Sequence, residues 1–262
     1  MACLYSRRRS SAAWLVLLCV VFLPIEPLLR AASATPHGAE VLNYRIEWRL
    51  IHAGNARLVW APVRSDQTES WHANLHVESA GLVSALFKVE DNYSAVLNNS
   101  FCVESSLLTS QQGLRARETK ITFDSTRRKA EYVEKDLKKS TVIRSSEVGI
   151  PACVYDVIGG LYRLRAMRLA PGQSSALAVS DGKKTAHVRV EAQQREQVTT
   201  PAGVFQAVRH EAFLFNDVIY SRSGRVLIWL TDDDRRLPVQ IVVRLQFPIG
   251  AITLRLEKEE KT

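Results

Sequence analysis

The chain has 262 residues, 46% of them apolar, and a formal net charge of +8. That length buries a core without disulfide or metal staples, and an all-β chain of about 200–250 residues still forms one domain. The basic excess is spread along the sequence and forms no clustered stripe of the kind nucleic-acid binding requires, so no nucleic-acid partner is expected.

Residues 1–34 read as a signal peptide. Arg7, Arg8 and Arg9 precede an unbroken apolar run from Ala12 to Leu23, and Ala32-Ser33-Ala34 supplies the small residues of a cleavage site. The run is shorter than the ~20 residues of a membrane span, and Pro24, Glu26 and Pro27 interrupt it. An uncleaved N-terminal anchor is the alternative; with cleavage, no transmembrane anchor is retained. Ser10 stands where a twin-arginine signal has an apolar residue, and no Cys follows the run at the cleavage region. The expected route is therefore the general secretory one, to the periplasm or outer envelope. Arg7, Arg8, Arg9 and Arg30 against Glu26 take a net +3 away with the leader, leaving +5 of the +8 on residues 35–262. Cys3 and Cys19 leave with it too, and Cys102 and Cys153 remain in a compartment that permits disulfides. A bridge between them would close a loop of about 50 residues, worth roughly 3–4 kcal/mol; two buried free thiols are the alternative.

Residues 35–262 alternate with period two. Tyr44, Ile46, Trp48 and Leu50 interleave with Arg45, Glu47 and Arg49, a half-buried strand. Gly54-Asn55 marks a turn, with Ala56 to Val63 pairing back. Strands follow at Trp71 to Ser79, Phe87 to Leu97, Cys102 to Leu108, Arg115 to Phe123 and Lys129 to Val133, and Lys135 to Lys139 is a solvated loop. Val154, Val157, Ile158, Leu161 and Arg165 then fall at helical spacing between Pro151 and Met167. Gly159 and Gly160 within that helix each cost up to about 1 kcal/mol relative to Ala, which implies close packing against a sheet. Strands resume at Ser175 to Val179, Thr185 to Val190, Val204 to Phe213, Arg225 to Leu230, Pro238 to Phe247 and Ala251 to Leu256. The fold expected is all-β: one antiparallel sheet curled into a barrel or half-barrel, with one short helix on its concave side or closing its mouth.

Asp156 to Arg165 (DVIGGLYRLR), Val198 to Phe205 (VTTPAGVF) and Trp229 to Val239 (WLTDDDRRLPV) stand in that order after Tyr44-Arg45-Ile46-Glu47-Trp48 and Gly54. Together they resemble the exported bacterial family known as domain of unknown function 3108, over nearly all of residues 35–262. The resemblance implies an envelope location and a β-rich fold, and it carries no activity and no catalytic residues.

The residues themselves point away from catalysis and metal binding. No Gly-x-Ser-x-Gly elbow, phosphate-binding Gly loop or Cys–His arrangement is present. His72 and His76 share a strand face but stand ~13 Å apart, too far for one ion. The most tempting polar cluster is Trp229, Asp232, Asp233, Arg235 and Arg236. It is either a site for a cation or a sugar, or a strand-ending turn in which arginines pair with acids. Arg163, Arg165 and Arg168 are expected on a solvated helix face. The leading expectation is a non-enzymatic, cofactor-free binder or carrier of an apolar or amphipathic envelope ligand, a lipid or a glycan. A polysaccharide-binding module built on exposed tryptophans and an envelope scaffold are the alternatives.

Overall fold

The computed structural model describes residues 38–65, 68–246 and 250–261. The expected signal peptide and its cleavage site lie outside the described residues. Among the described residues, fourteen strands form one antiparallel sheet: β1 (Glu40–Trp48), β2 (Ile51–Ser65), β3 (Thr68–Ser79), β4 (Val89–Asn98), β5 (Val103–Gln112), β6 (Arg115–Asp124), β7 (Lys129–Asp136), β8 (Thr141–Gly149), β9 (Ser174–Ser180), β10 (Thr185–Thr200), β11 (Gly203–Ala212), β12 (Gly224–Thr231), β13 (Pro238–Leu245) and β14 (Ala251–Lys261). Helix α1 (Gly81–Leu86) connects β3 to β4, and α2 (Val157–Met167) precedes β9.

The order β8-β7-β6-β5-β4-β3-β2-β1-β14-β13-β12-β11-β10-β9 is a meander whose two arms meet where β1 pairs with β14. β8 and β9 are left as edges, so the sheet curls without closing. The period-two alternation selects one face for the interior: Leu42 and Tyr44 of β1, Leu58 and Trp60 of β2, Ala95 and Leu97 of β4 and Val188 and Val190 of β10 are all buried in one core with α2. β12 is buried on both faces. Ile228 shares the inner face with Ile241, Leu254 and Ile46 through successive registers, while Trp229 lies opposite Arg209 and Gln240 on the other face.

Several expected boundaries move. The first turn is Arg49-Leu50, and Gly54-Asn55 lies inside β2. Gly54 is required there because a Cβ would stand 2.1 Å from the Glu78 carbonyl oxygen of β3. That close approach, not a turn, accounts for the glycine. α1 carries no buried residue and so shows no helical apolar stripe in the sequence. β8 escapes period-two reading because nearly all its residues are exposed at the sheet edge. Lys135 and Asp136 extend β7, β10 and β14 run past their expected ends, and Phe247 lies outside the described residues.

α2 is the interior element of the fold. Its approach is tied by the Cys102–Cys153 disulfide, with a Cα–Cα separation of 5.2 Å. Asp156 is the N-cap: one carboxylate oxygen accepts from the Gly159 N–H at 2.6 Å. A Cβ on Gly159 would meet Leu97, the Phe101 carbonyl and Asp156 at 2.6–2.8 Å, whereas one on Gly160 would meet only Tyr155 Cβ at 3.9 Å. The expected close packing therefore belongs to Gly159 alone. Tyr162 stacks on Trp60 with ring centroids 3.6 Å apart. Arg165 does not lie on a solvated face. It is 3% exposed, paired with Glu40 of β1, and its Nε donates to the Arg236 carbonyl at 3.0 Å.

The two helix glycines separate packing from propensity. Gly159→Ala is expected to destabilise by about 1–3 kcal/mol through overpacking, and Gly160→Ala to stabilise by up to about 1 kcal/mol. Paired urea unfolding curves of the two variants check this, and a stabilised Gly159→Ala would refute the packing argument.

Candidate functional site

α2 does not fill the concave face. Around its N-terminus lies a cavity of about 400 Å³, within the ~300–1,000 Å³ range of small-molecule sites. Its walls are apolar side chains of the inner face, among them Leu75, Val77, Leu108, Ile121 and Phe123. Its polar end is built by Asp156, Tyr93, Ser106 and Tyr220. The Tyr93 hydroxyl donates to the Asp156 oxygen that the helix cap leaves over. Burial pushes the Asp156 carboxyl above its ordinary value, against the lowering effect of the Tyr93 and Gly159 hydrogen bonds. Burial, reinforced by the Asp156 charge, pushes the Tyr93 hydroxyl well up. The rim carries Asp181 and Lys183 from the β9–β10 turn, with the Lys183 ammonium 5.1 Å from the Tyr132 ring centre.

A second concavity of about 440 Å³ adjoins it at Val77 and runs under α1. Ile46, Trp48, Val89, Leu86, Phe87 and Ile252 make it almost wholly apolar. The two concavities meet at Val77, where Asp91 of β4 lies opposite; its carboxyl pKa is raised by burial and it accepts from the Gln112 side chain at 2.8 Å, so the mostly apolar inner face carries a second polar point besides the Asp156–Tyr93 pair.

The polar cluster singled out in the sequence lies elsewhere, where β12 turns into β13. Trp229 is buried, and its indole N–H donates to Glu196. Asp232 pairs with Arg195 at 2.7 Å. Asp233 accepts from the Thr231 hydroxyl at 2.6 Å and from the Arg235 and Arg236 N–H groups at 3.2 and 3.1 Å, closing the turn. Arg235 pairs with Glu259, and Arg236 is buried with a guanidinium nitrogen 3.3 Å from His210 Nε2. These five residues are committed to one another and to neighbouring strands, which is the turn reading. Trp60, like Trp229, is buried, so neither forms an exposed platform for a sugar ring. His76 accompanies Asn92 at 2.8 Å on the strand-facing side opposite Leu75 and Val77.

Sequence reasoning missed Tyr93, Ser106, Tyr220 and the cavity walls, because each is an ordinary strand or loop residue with no local signature, and Asp156, which Tyr93 meets, lies 63 residues away. Asp156 stands in the sequence only as the start of the run DVIGGLYRLR; the fold shows it capping α2 with one oxygen and accepting from Tyr93 with the other, at the cavity wall.

His210 gives the turn region a pH signature. Burial, with Arg236 alongside, lowers its pKa from 6.5 to about 4. A group depressed in the folded state contributes stability above its unfolded pKa and loses it as the pH falls. Stability is therefore expected to drop between pH 6.5 and about 4 by on the order of 3 kcal/mol from this residue. Asp156, shifted upward, acts in the opposite sense, so the difference between wild type and His210→Gln isolates the histidine. Denaturant midpoints of both proteins across that window check it; parallel curves would contradict it.

Residues 43–257 match the family described as "Protein of unknown function (DUF3108)". Among solved structures, the chain is similar to a β-barrel-like protein of domain of unknown function DUF1849 from Brucella abortus. The match has 8% identity and a TM-score of 0.51, and covers 85% of this chain and 97% of that one. It is also similar to a DUF1089 family protein from Pseudomonas aeruginosa, with 11% identity and a TM-score of 0.36, over 73% and 90% of the two chains. The first likeness supports the β-barrel-like fold and nothing further. No curated protein matches the sequence.

Proposed function

The chain belongs to the DUF3108 family, and from its geometry we propose that it is a non-catalytic envelope binder or carrier whose concave face holds an amphipathic ligand. The observation that carries this is the cavity at the α2 N-terminus, with apolar walls and a polar end at Asp156, Tyr93 and Tyr220. An apolar chain would lie along Leu75, Val77 and Leu108, and a hydroxyl or carboxylic acid headgroup would meet Tyr220 and the Asp156–Tyr93 pair. Both Asp156 oxygens are already engaged, one by the helix cap and one by Tyr93. That arrangement suits a fixed polar wall better than a proton-transferring base. Export rests on the leader read from the sequence, and the disulfide fits an oxidising compartment.

A fluorescent long-chain fatty acid is the probe. It is expected to bind saturably to the exported protein, and Leu108→Trp, which fills the chamber from β5, is expected to weaken binding at least about tenfold, the equivalent of ~1.4 kcal/mol. Thermal melts of both proteins show whether the variant keeps its fold. Absence of saturable binding by the wild type, or equal binding by a folded Leu108→Trp, would overturn the reading.

A further inference from the structure

At one end of the sheet, alongside the β9–β10 turn and the β11–β12 connection with their Asp181 and Asp217, the meander places four further connections: the β1–β2 turn, the β3–α1–β4 connection, the β5–β6 turn and the β7–β8 turn. Their tips are apolar. Leu50, Leu82, Leu86 and Leu114 are 72–87% exposed, and Phe87 stands beside Gly113 of the neighbouring turn. The same tips carry Arg49, which lies over the Trp48 ring at 5.3 Å, with Lys88, Arg115, Lys138 and Lys139; the carboxylate among them is Asp136, which accepts from the Lys138 and Lys139 N–H groups at 2.9 and 3.0 Å and closes the β7–β8 turn, so cations outnumber carboxylates at these tips. Lys88 also pairs with Glu90 at 3.2 Å, behind the tip. At the opposite end of the sheet the corresponding turns are polar: Asn98-Asn99-Ser100, Asp124-Ser125-Thr126 and Asp232-Asp233-Asp234.

The backbone of the first tip adds an independent sign. Arg49 and Leu50 both have positive φ, 50° and 70°. A two-residue hairpin of that shape ordinarily takes Asn-Gly, because an L side chain is strained there. Leucine gains nothing from the fold at this position, since it is 87% exposed. Strained, exposed apolar residues mark a surface used for contact with something else.

We propose that this end docks onto an anionic phospholipid surface, with the leucine tips entering the headgroup boundary and the five cations facing lipid phosphates. Charge complementarity selects lipid over a second copy of the chain, whose own tips would repel. The position of the chambers gives the docking a purpose. The apolar concavity under α1 is lined by Leu86 and Phe87 of these same tips, and Asp181 and Lys183 on the rim of the α2 cavity stand at the same end. A molecule leaving the membrane would enter the concave face without crossing water. Only this transfer step rests on the carrier reading; the docking does not.

Vesicle flotation of the exported protein tests it. Wild type is expected to float with phosphatidylglycerol-containing vesicles, and about tenfold or more weakly with pure phosphatidylcholine. The anionic binding should weaken as salt shrinks the Debye length from about 10 Å at 0.1 M to about 3 Å at 1 M. Leu50→Gly is expected to retain or raise thermal stability by relieving the turn, yet to lose affinity. Combining it with Leu86→Ser and Leu114→Ser should reduce flotation by about tenfold or more. Leu108→Trp should float like wild type, so loss of fatty-acid binding with intact flotation sinks the carrier reading alone. Failure of wild type to float with anionic vesicles, undiminished flotation of the triple variant, or a dimer in sedimentation that the triple variant dissolves, overturns the docking.

Discussion

The fold depends on holding a helix inside a sheet that does not close. A curled sheet of fourteen strands leaves more interior than its own side chains fill, and α2 occupies part of it. The Glu40–Arg165 pair fixes where. Arg165 reaches from α2 to β1, donates to the backbone of the β12–β13 turn, and lies against Tyr162, whose hydroxyl donates to the same Glu40 at 2.6 Å. A buried pair of this kind adds little net stability compared with apolar packing, but breaking it strands a charge at a cost of about 3–5 kcal/mol. Its main effect is placement. It joins the first strand, the helix and the β12–β13 turn, so the two arms of the sheet share one anchored interior.

The consequences run outward from that anchor. With the helix fixed at its C-terminal half by Arg165 and in its middle by the Tyr162–Trp60 stack, its N-terminus meets the sheet through Gly159, where only hydrogen fits. The disulfide to Cys102 holds the chain just before that point. What remains open is the space beyond Asp156, bounded by β3 to β7. The chamber is thus the volume that a short helix leaves over, and its polar end is the helix cap itself.

The sheet was legible because alternation records a half-buried strand directly, as in β1 and β3. The helix was legible from the spacing of Val154 to Arg165, and the cysteine pair from arithmetic and compartment. What escaped had no local signature. α1 has no buried side to leave an apolar stripe, and β8 is exposed along nearly its whole length. Gly54 looked like a turn because a glycine demanded by the neighbouring Glu78 carbonyl has the same letter as one demanded by positive φ. Arg165 looked solvated because its partner, Glu40, lies 125 residues away. The Asp232–Arg236 run drew attention as a site for the converse reason: its charges are dense in sequence, and the fold consumes them locally. The chamber residues Tyr93 and Tyr220 come from distant strands and loops, and only the register of the sheet brings them to Asp156.

The central claim is that the concave face is a ligand chamber and not merely slack packing. Native mass spectrometry of the protein recovered after export, followed by organic extraction of whatever is bound, addresses it most directly. A discrete mass above that of the processed chain, released by solvent as a lipid-like amphiphile, is the predicted result. A bare chain mass from protein that is folded, disulfide-bonded and soluble would contradict it.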